Sequence, residues 1–433
     1  MTHPLSLVRF LKAALFSGAI TTTAALMSPP FVPVAQAAFH NSPKAVLDEA
    51  WQIVNREYVD GSFNQVDWQA ARQELLQGNY TSTQAAYAAL RQQLERLNDP
   101  YTRFMDPRQY QSLTNQTSGE LSGVGIRLQV SPDTQVLTVV SPLENSPASA
   151  AGIRAGDQIV AIDGKATAGM TVEDASKLIQ GEAGTSITLK IGREGKTPFD
   201  LPLVRARIEV PNVHSSVRQE GNTKVGYIRL TEFSSHAPDQ MRRAIQNLLD
   251  QNVNAFVLDL RGNPGGLLSA SVEISRMWID EGKIVQTINR KGNSQDIAAN
   301  QTAMTQLPLA VLVDGNSASS SEILTGALLD NGRAVVVGTQ TFGKALVQSV
   351  HPLSDGSGLA VTIAHYYTPN GIDIGHRGIQ PTIEVGLTEQ QQQVLSGNQT
   401  LIGTNADPQY AKAVNALRST VAINQTTSTT VGQ

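Results

Sequence analysis

Apolar residues recur at two different periods along this chain, and the change of period divides it into regions. Leu47, Trp51, Val54 and Tyr58 recur at helical spacing, as do Tyr87, Leu90, Leu94 and Leu97, and the second run stops at Asn98-Asp99-Pro100. This predicts a small helical region over residues 41–117. Gly- and Val-rich stretches follow: Gly123-Val124-Gly125-Ile126, Val136 to Val140, Ile159 to Asp163-Gly164, a short helix from Val172 to Gln180, then Ile187 to Ile191. Short apolar strands bounded by turns predict a compact mixed domain over 118–207. From Val225 onward apolar strands alternate with amphipathic helices, as in βα units around a largely parallel sheet, and this third region spans 208–390. Residues 391–433 carry a predicted helix from Tyr410 to Leu417 and an Asn/Thr/Ser-rich end whose composition predicts disorder.

The first forty residues read differently. Arg9 and Lys12 precede a mostly apolar stretch from Ala13 to Met27, then Ser28-Pro29-Pro30 and the small-x-small site Ala35-Gln36-Ala37. The stretch falls short of the ~20 apolar residues a spanning helix needs. It predicts a cleaved signal peptide over 1–37 and export. Nothing later is long and apolar enough to span a bilayer, so no stable membrane span is expected after cleavage. Losing Arg9 and Lys12 takes the formal charge from −4 to −6.

Composition narrows the chemistry. At roughly 150 residues per domain, 433 residues predict about three compact units. Weak acidity, 33 basic against 37 acidic residues, argues against a nucleic-acid partner. There is no cysteine, which excludes disulfides, thiolate metal sites and a cysteine nucleophile. A nucleophile must be an oxygen or an amine.

Three apolar strands in the third region, Ala255 to Leu260, Leu309 to Val313 and Ala334 to Gly338, each run into an unusual loop. These are Arg261-Gly262-Asn263-Pro264-Gly265-Gly266, Asp314-Gly315-Asn316-Ser317-Ala318-Ser319 and Thr339-Gln340-Thr341-Phe342-Gly343-Lys344. If the strands are parallel, all three loops emerge at one edge, where open α/β sheets place their ligands. A helix from Ser320 to Asp330 carries the chain ~16 Å away at 1.5 Å per residue. The third strand returns it ~17 Å at ~3.3 Å per residue, so Lys344 can end beside Ser319.

Ser319-x-x-Glu322 fits a capping box, which makes Ser319 a plain helix cap on spacing alone. A glycine-rich loop able to offer N–H donors to an oxyanion, and a lysine at the same edge, favour a nucleophile. A Ser-Lys pair is one known way to activate a serine. Lysine serves as base only if its pKa falls by about 3 units from ~10.4, which costs about 4 kcal/mol and requires burial. Phe342, Gly343, Ala345, Leu346 and Val347 offer an apolar setting, and Gln348 can orient the neutral amine. Asp259 and Arg261 are expected to pair and hold the first loop.

Other motifs are weaker. Gly338-x-x-x-x-Gly343-Lys344 is shaped like a phosphate-binding loop, but Ala345 stands where the Mg²⁺-ligating hydroxyl belongs. Pro264 occupies the place a serine would take in a trypsin-like Gly loop. The histidines are scattered, with no His-Glu-x-x-His zinc pattern. Neither metal nor cofactor is expected.

These motifs give the chain a resemblance to the C-terminal processing proteases, from Lys44 to Val385. It is carried by Asn98-Asp99-Pro100-Tyr101-Thr102-Arg103-Phe104, Gly226-Tyr227-Ile228-Arg229, Asp259-Leu260-Arg261-Gly262-Asn263-Pro264-Gly265-Gly266, Ser317 to Ile323, and Thr341-Phe342-Gly343-Lys344. The resemblance implies an α+β multidomain chain: a helical region, a PDZ domain and a crotonase-like α/β protease core. It implies Ser319 as nucleophile, Lys344 as general base and Gln348 as its support. The Ser320 N–H, with that of Gly265 or Gly266, would form the oxyanion hole. The stretch from Thr117 to Gly125 is most similar to cyanobacterial and plastid members, which implies a photosystem II reaction-centre precursor as substrate and a thylakoid lumen or periplasm as location. A PDZ domain implies partners with free C termini, the loop Gly123, Val124, Gly125 and Ile126 holding the terminal carboxylate while the peptide adds as a strand. Two rival readings are a non-catalytic PDZ adaptor that binds exposed chain ends and a serine hydrolase with a histidine base.

Overall fold

The computed structural model describes residues 43–131 and 134–418; the expected signal peptide and the end of the chain beyond 418 lie outside the described residues. Helices Pro43–Glu57, Trp68–Gln77 and Thr83–Glu95 form the N-terminal region. Asp67 and Ser82 start the second and third by accepting the N–H groups of Ala70 and Ala85, satisfying donors the first helical turn leaves free. The apolar stripe read from the sequence faces inward: Leu47, Trp51, Val54, Leu90 and Leu94 are buried together with Phe104, Leu359 and Val361. The last three lie on strands Arg103–Met105 and Gly358–Tyr367, which pair antiparallel with Phe104 opposite Leu359. The helical region is therefore joined to a core sheet by both a strand pair and a shared apolar cluster.

The second region is an antiparallel sheet of Ile126–Val130, Leu137–Pro142, Gln158–Ile162, Ser186–Gly192 and Phe199–Val204, in the order of their pairing, with a short strand on its third member. Helix Val172–Ile179, capped reciprocally by Thr171 and Asp174, packs Ala175 and Ile179 onto it. The chain enters and leaves through one two-stranded ribbon, Glu120–Gly123 against Ala206–Glu209.

The third region is built on a six-stranded sheet in the order Val213–Glu220, Thr223–Leu230, Ala255–Asp259, Leu309–Val313, Val335–Gly338 and Ile383–Glu384. Every pairing after the first is parallel. Ala255–Asp259 and Leu309–Val313 are buried at every position, which explains their continuous apolar runs. Leu258 and Val311 face helices Ala237–Asp250, Leu268–Arg276 and Ser320–Asp330. One residue along, Val257 and Leu312 face the opposite side, where Tyr410, Ala413, Val414 and Leu417 of a helix over residues 408–418 cover them. The sequence pattern set residues 391–433 apart, but this helix shares the core's packing, because without it one face of the sheet would lie bare. A second sheet, containing Gly358–Tyr367, Leu346–Pro352 and Lys283–Asn289, lies beside the first.

Candidate active site

The three strands Ala255–Asp259, Leu309–Val313 and Val335–Gly338 are parallel neighbours, the condition under which their loops emerge at one edge. Hydrogen bonds then lock the first two loops together. Asn263 is the centre: its carbonyl accepts Ala318 N–H at 3.1 Å and the Ser321 hydroxyl at 2.9 Å, and its side chain donates to Leu230 and accepts Gly265 N–H at 2.9 Å. Ser320 Oγ donates to the Gly266 carbonyl at 3.0 Å. Only glycine fits at Gly265 (φ +108°), where a Cβ would stand 2.8 Å from the Ala318 carbonyl and 3.0 Å from Ser319 Cβ. The glycine loop thus lies directly against Ser319.

Gly265 spends its N–H on Asn263. Among the described residues no hydrogen bond uses the N–H of Gly266 or Ser320, so these two are the free donors beside Ser319.

Ser319 is half-buried and holds a positive φ of 55°, a conformation that costs a non-glycine residue about 1–3 kcal/mol and persists only where the surroundings enforce it. The enforcement comes from Glu322, which is fully buried. Its Oε2 accepts the N–H of Ser319 at 2.8 Å and of Lys344 at 3.0 Å; its Oε1 accepts the N–H of Gly343 at 2.7 Å and the Thr341 hydroxyl at 2.6 Å. Burial pushes the Glu322 carboxyl above its ordinary range, against the pull of these four donors. The sequence marked Glu322 only as the far end of a capping box. Of the phosphate-loop-like stretch Gly338 to Lys344, the Gly343 and Lys344 amides go to this carboxylate, while those of Thr339, Thr341 and Phe342 go to the carbonyls of Val313, Ile379 and Ser317.

Lys344 Nζ donates to Gln348 Oε1 at 2.8 Å and lies 4.4 Å from the centroid of the Tyr101 ring. Gln348 Nε2 in turn donates to the Tyr101 carbonyl at 2.6 Å. Burial lowers the Lys344 amine from its ordinary 10.5; Arg103 adds to the shift, and Asp99 and Glu322 oppose it. Of the expected apolar setting Ala345 is buried, but Phe342 is 56% exposed, and Tyr101, from the N-terminal region, stands over the amine. Tyr366, buried on the neighbouring strand, places its hydroxyl on the Lys344 carbonyl and 3.3 Å from that of Ser319. Among the described residues no hydrogen bond joins the Ser319 hydroxyl to Lys344 or to any histidine.

Asp259 and Arg261 pair as expected, with Nη2 2.6 Å from Oδ2, and the cluster is larger than the sequence indicated. Arg261 also meets Asp407 through two bonds of 3.0 and 2.7 Å and Gln409 at 2.8 Å, while Tyr227 donates to Asp259 at 2.7 Å. Burial alone would raise the Asp259 carboxyl; the Arg261 charge and hydrogen bonds overcome it and hold it below the ordinary range.

The segment Gly123 to Ile126 stands apart from these loops. Gly125 is left-handed at φ +79°, and the carbonyls of Val124 and Gly125 are taken by Ala148 and Leu143 N–H at 2.9 Å each. Among the described residues no hydrogen bond uses the N–H of Val124 or Gly125. Helix Pro107–Ser118, which leads into the ribbon, is linked to the loops at the sheet edge: Ser235 N–H donates to the Thr117 carbonyl at 2.9 Å, and Phe233 N–H, two residues before, donates to the Gly265 carbonyl at 2.9 Å.

Residues 224–385 match the model of peptidase family S41, and residues 138–193 match that of the PDZ domain. A carboxyl-terminal-processing protease of Picosynechococcus sp. is 42% identical over 396 residues, covering 91% of this chain and 94% of that protein. The chain belongs to the carboxyl-terminal-processing proteases of peptidase family S41. The chloroplastic carboxyl-terminal-processing peptidase 2 of Arabidopsis thaliana is 40% identical over 345 residues, covering 77% of this chain and 67% of that one. A solved photosystem II D1 C-terminal processing protease superposes with a TM-score of 0.54 at 35% identity, over 86% of this chain and all of the other. The α+β multidomain expectation, with a PDZ domain and an S41 core, is met. No helix among the described residues of this processing protease is long and apolar enough to cross a membrane.

Proposed function

We propose that this chain is an exported serine endopeptidase of the thylakoid lumen or periplasm that removes C-terminal segments of proteins by a Ser-Lys mechanism. Ser319 Oγ attacks the scissile carbonyl and Lys344 Nζ takes its proton, later returning it to the leaving amine. The N–H groups of Gly266 and Ser320 receive the developing oxyanion. Gln348 accepts from the amine and keeps its lone pair directed. Proton transfer requires the Ser319 hydroxyl and the Lys344 amine to close on each other by side-chain rotation, a contact that often forms only with substrate bound.

The observation that carries this reading is the shared Glu322 carboxylate, which ties the backbone of the serine loop to that of the lysine loop. A lowered lysine is what a base near neutral pH demands. The free N–H groups at Val124 and Gly125 support capture of a chain end by the PDZ domain before it reaches Ser319. The precursor of a photosystem II reaction-centre protein is the substrate we assign, on the likeness to a solved protease named for photosystem II D1.

The test incubates the protein from residue 38 onward, and its Ser319→Ala form, with peptides ending in a free or an amidated carboxyl group, followed by mass spectrometry. Products are expected only from the unsubstituted protein and mainly from free-ended peptides. Equal cutting of amidated peptides would sink the capture step. Peptide binding without product at any pH would instead make the chain a PDZ adaptor.

A further inference from the structure

We propose that Tyr101 is a positioning residue for the general base: its ring carries the Lys344 amine and its carbonyl fixes the Gln348 amide, so the N-terminal helical region completes the catalytic centre. The inference rests on the reading of Lys344 as the base.

The motif Asn98-Asp99-Pro100-Tyr101-Thr102 has no chemical role in the reaction as described above, yet it is firmly latched. Asp99 Oδ2 accepts the hydroxyls of Thr102 and Thr362 at 2.7 Å each, and Oδ1 accepts Tyr101 N–H at 2.9 Å. Thr102 Oγ1 accepts Thr362 N–H at 3.0 Å. Thr362 is the cross-strand partner of Gln348. The latch therefore closes on the residue opposite the one that supports the base. Tyr101 is delivered to Lys344 from there, completing a closed circuit: Tyr101 carbonyl to Gln348 amide, Gln348 oxygen to Lys344 amine, Lys344 amine to Tyr101 ring.

The ring acts on the amine in two opposed ways. Its bulk excludes water, which favours the neutral form. Its π face attracts the ammonium, which favours the charged form. The other groups facing the amine are Arg103, which favours the neutral form, and Asp99 and Glu322, which favour the charged one; the phenols of Tyr101 and Tyr366 are themselves raised by burial and stay uncharged near neutrality. Separating bulk from π face separates the two effects.

The experiment measures kcat and KM against pH, on a peptide with a free carboxyl end, for the unsubstituted protein, Tyr101→Phe, Tyr101→Leu, Tyr101→Ala and Lys344→Ala, each checked by thermal unfolding. Phe keeps the face, and the acidic limb of the profile is expected to stay in place. Leu keeps the cover and loses the face, moving the limb down by about half a unit to one unit. Ala admits water and moves it up by about one unit. In Leu and Ala, kcat falls more than KM changes. A limb that stays put in all three, or moves the same way in Leu and Ala, overturns the proposal; if Ala fails to fold, Leu against Phe decides it. Activity in Lys344→Ala would overturn the base assignment beneath it, a failure that the Tyr101 variants do not mimic.

Discussion

Ser319 and Lys344 donate their backbone N–H groups to the same oxygen of Glu322, at 2.8 and 3.0 Å. The excursion between them, helix Ser320–Asp330 and strand Val335–Gly338, is closed by that one buried carboxylate. Glu322→Gln keeps the shape but turns one acceptor oxygen into a donor facing N–H groups. A hydrogen bond to a charged group is worth about 1.5–3 kcal/mol, so the variant should lose about 2–4 kcal/mol of stability in denaturant unfolding. A displacement of about 1 Å at a reacting pair costs roughly 10²-fold, and kcat should fall at least that far. Near-normal kcat in a folded Glu322→Gln protein would show that the carboxylate does not set the geometry.

On the proposed mechanism Lys344 is a base, and its burial is a burden on the fold. Burial holds the Lys344 amine below 10.5 in the native state, so between the native and unfolded values the unfolded chain binds the extra proton. Native stability then rises with pH across that window, and the cost is largest below it, where the folded protein carries a buried cation. Lys344→Met removes the charge and keeps the stem. It should abolish cleavage and raise the melting temperature by about 2–4 °C for each ~1 kcal/mol relieved. The gain should be larger at pH 6 than at pH 10; a loss of stability at pH 6 would show that the Gln348 bond outweighs the burial.

Much of this was legible in the chain itself, because the informative signals were local. Fully buried strands such as Leu309–Val313 are apolar at each position, and the helix-and-strand distances brought Lys344 back to Ser319. What escaped notice lies across long separations. Glu322 resembles any helix cap until Thr341, Gly343 and Lys344 arrive from beyond the next strand. Arg261 advertises Asp259 two residues away, but Asp407 and Gln409 come from 146 and 148 residues further on. The exposed Phe342 shows the converse: an aromatic next to Lys344 in sequence suggested cover that Tyr101 supplies from the far side of the chain.

The Arg261 cluster makes the C-terminal helix a structural part of the protease. Asp407 accepts two guanidinium bonds and also Gly403 and Gln409 N–H, so it both neutralises Arg261 and starts the helix over residues 408–418. Asp407→Ala leaves a buried guanidinium short of a partner and should cost about 3 kcal/mol. Since Arg261 opens the glycine loop, kcat should drop as well, by roughly tenfold. Arg418→Ala is the control: its exposed guanidinium reaches the buried Glu220 only at 3.9 Å, and Glu220 keeps the Asn405 amide at 2.8 Å and the Tyr410 hydroxyl at 3.2 Å, so stability should change by less than about 0.5 kcal/mol. Equal effects of the two substitutions, read by urea unfolding, would refute the anchoring role.

Capture of a chain end makes a separate demand on Gly125. At φ +79° a side chain is strained by about 1–2 kcal/mol, and a Cβ would stand 2.3 Å from Ser146 Cβ. Ser146 cannot yield easily, because its hydroxyl is bonded to Leu143 at 2.7 Å and it caps the helix Pro147–Ala150. Gly125→Ala must therefore shift the segment that presents the free N–H groups of Val124 and Gly125. Gly164→Ala carries a comparable strain at φ +77° in a turn where a Cβ meets nothing within 4 Å, so it separates backbone strain from damage to the loop. In a Ser319→Ala background, which prevents turnover, titration calorimetry with a free-ended peptide should give at least tenfold weaker binding for Gly125→Ala and an unchanged affinity for Gly164→Ala. With Ser319 restored, Gly125→Ala should also lose the preference for free over amidated ends. Undiminished binding by a folded Gly125→Ala protein would move the carboxylate site elsewhere in the PDZ domain.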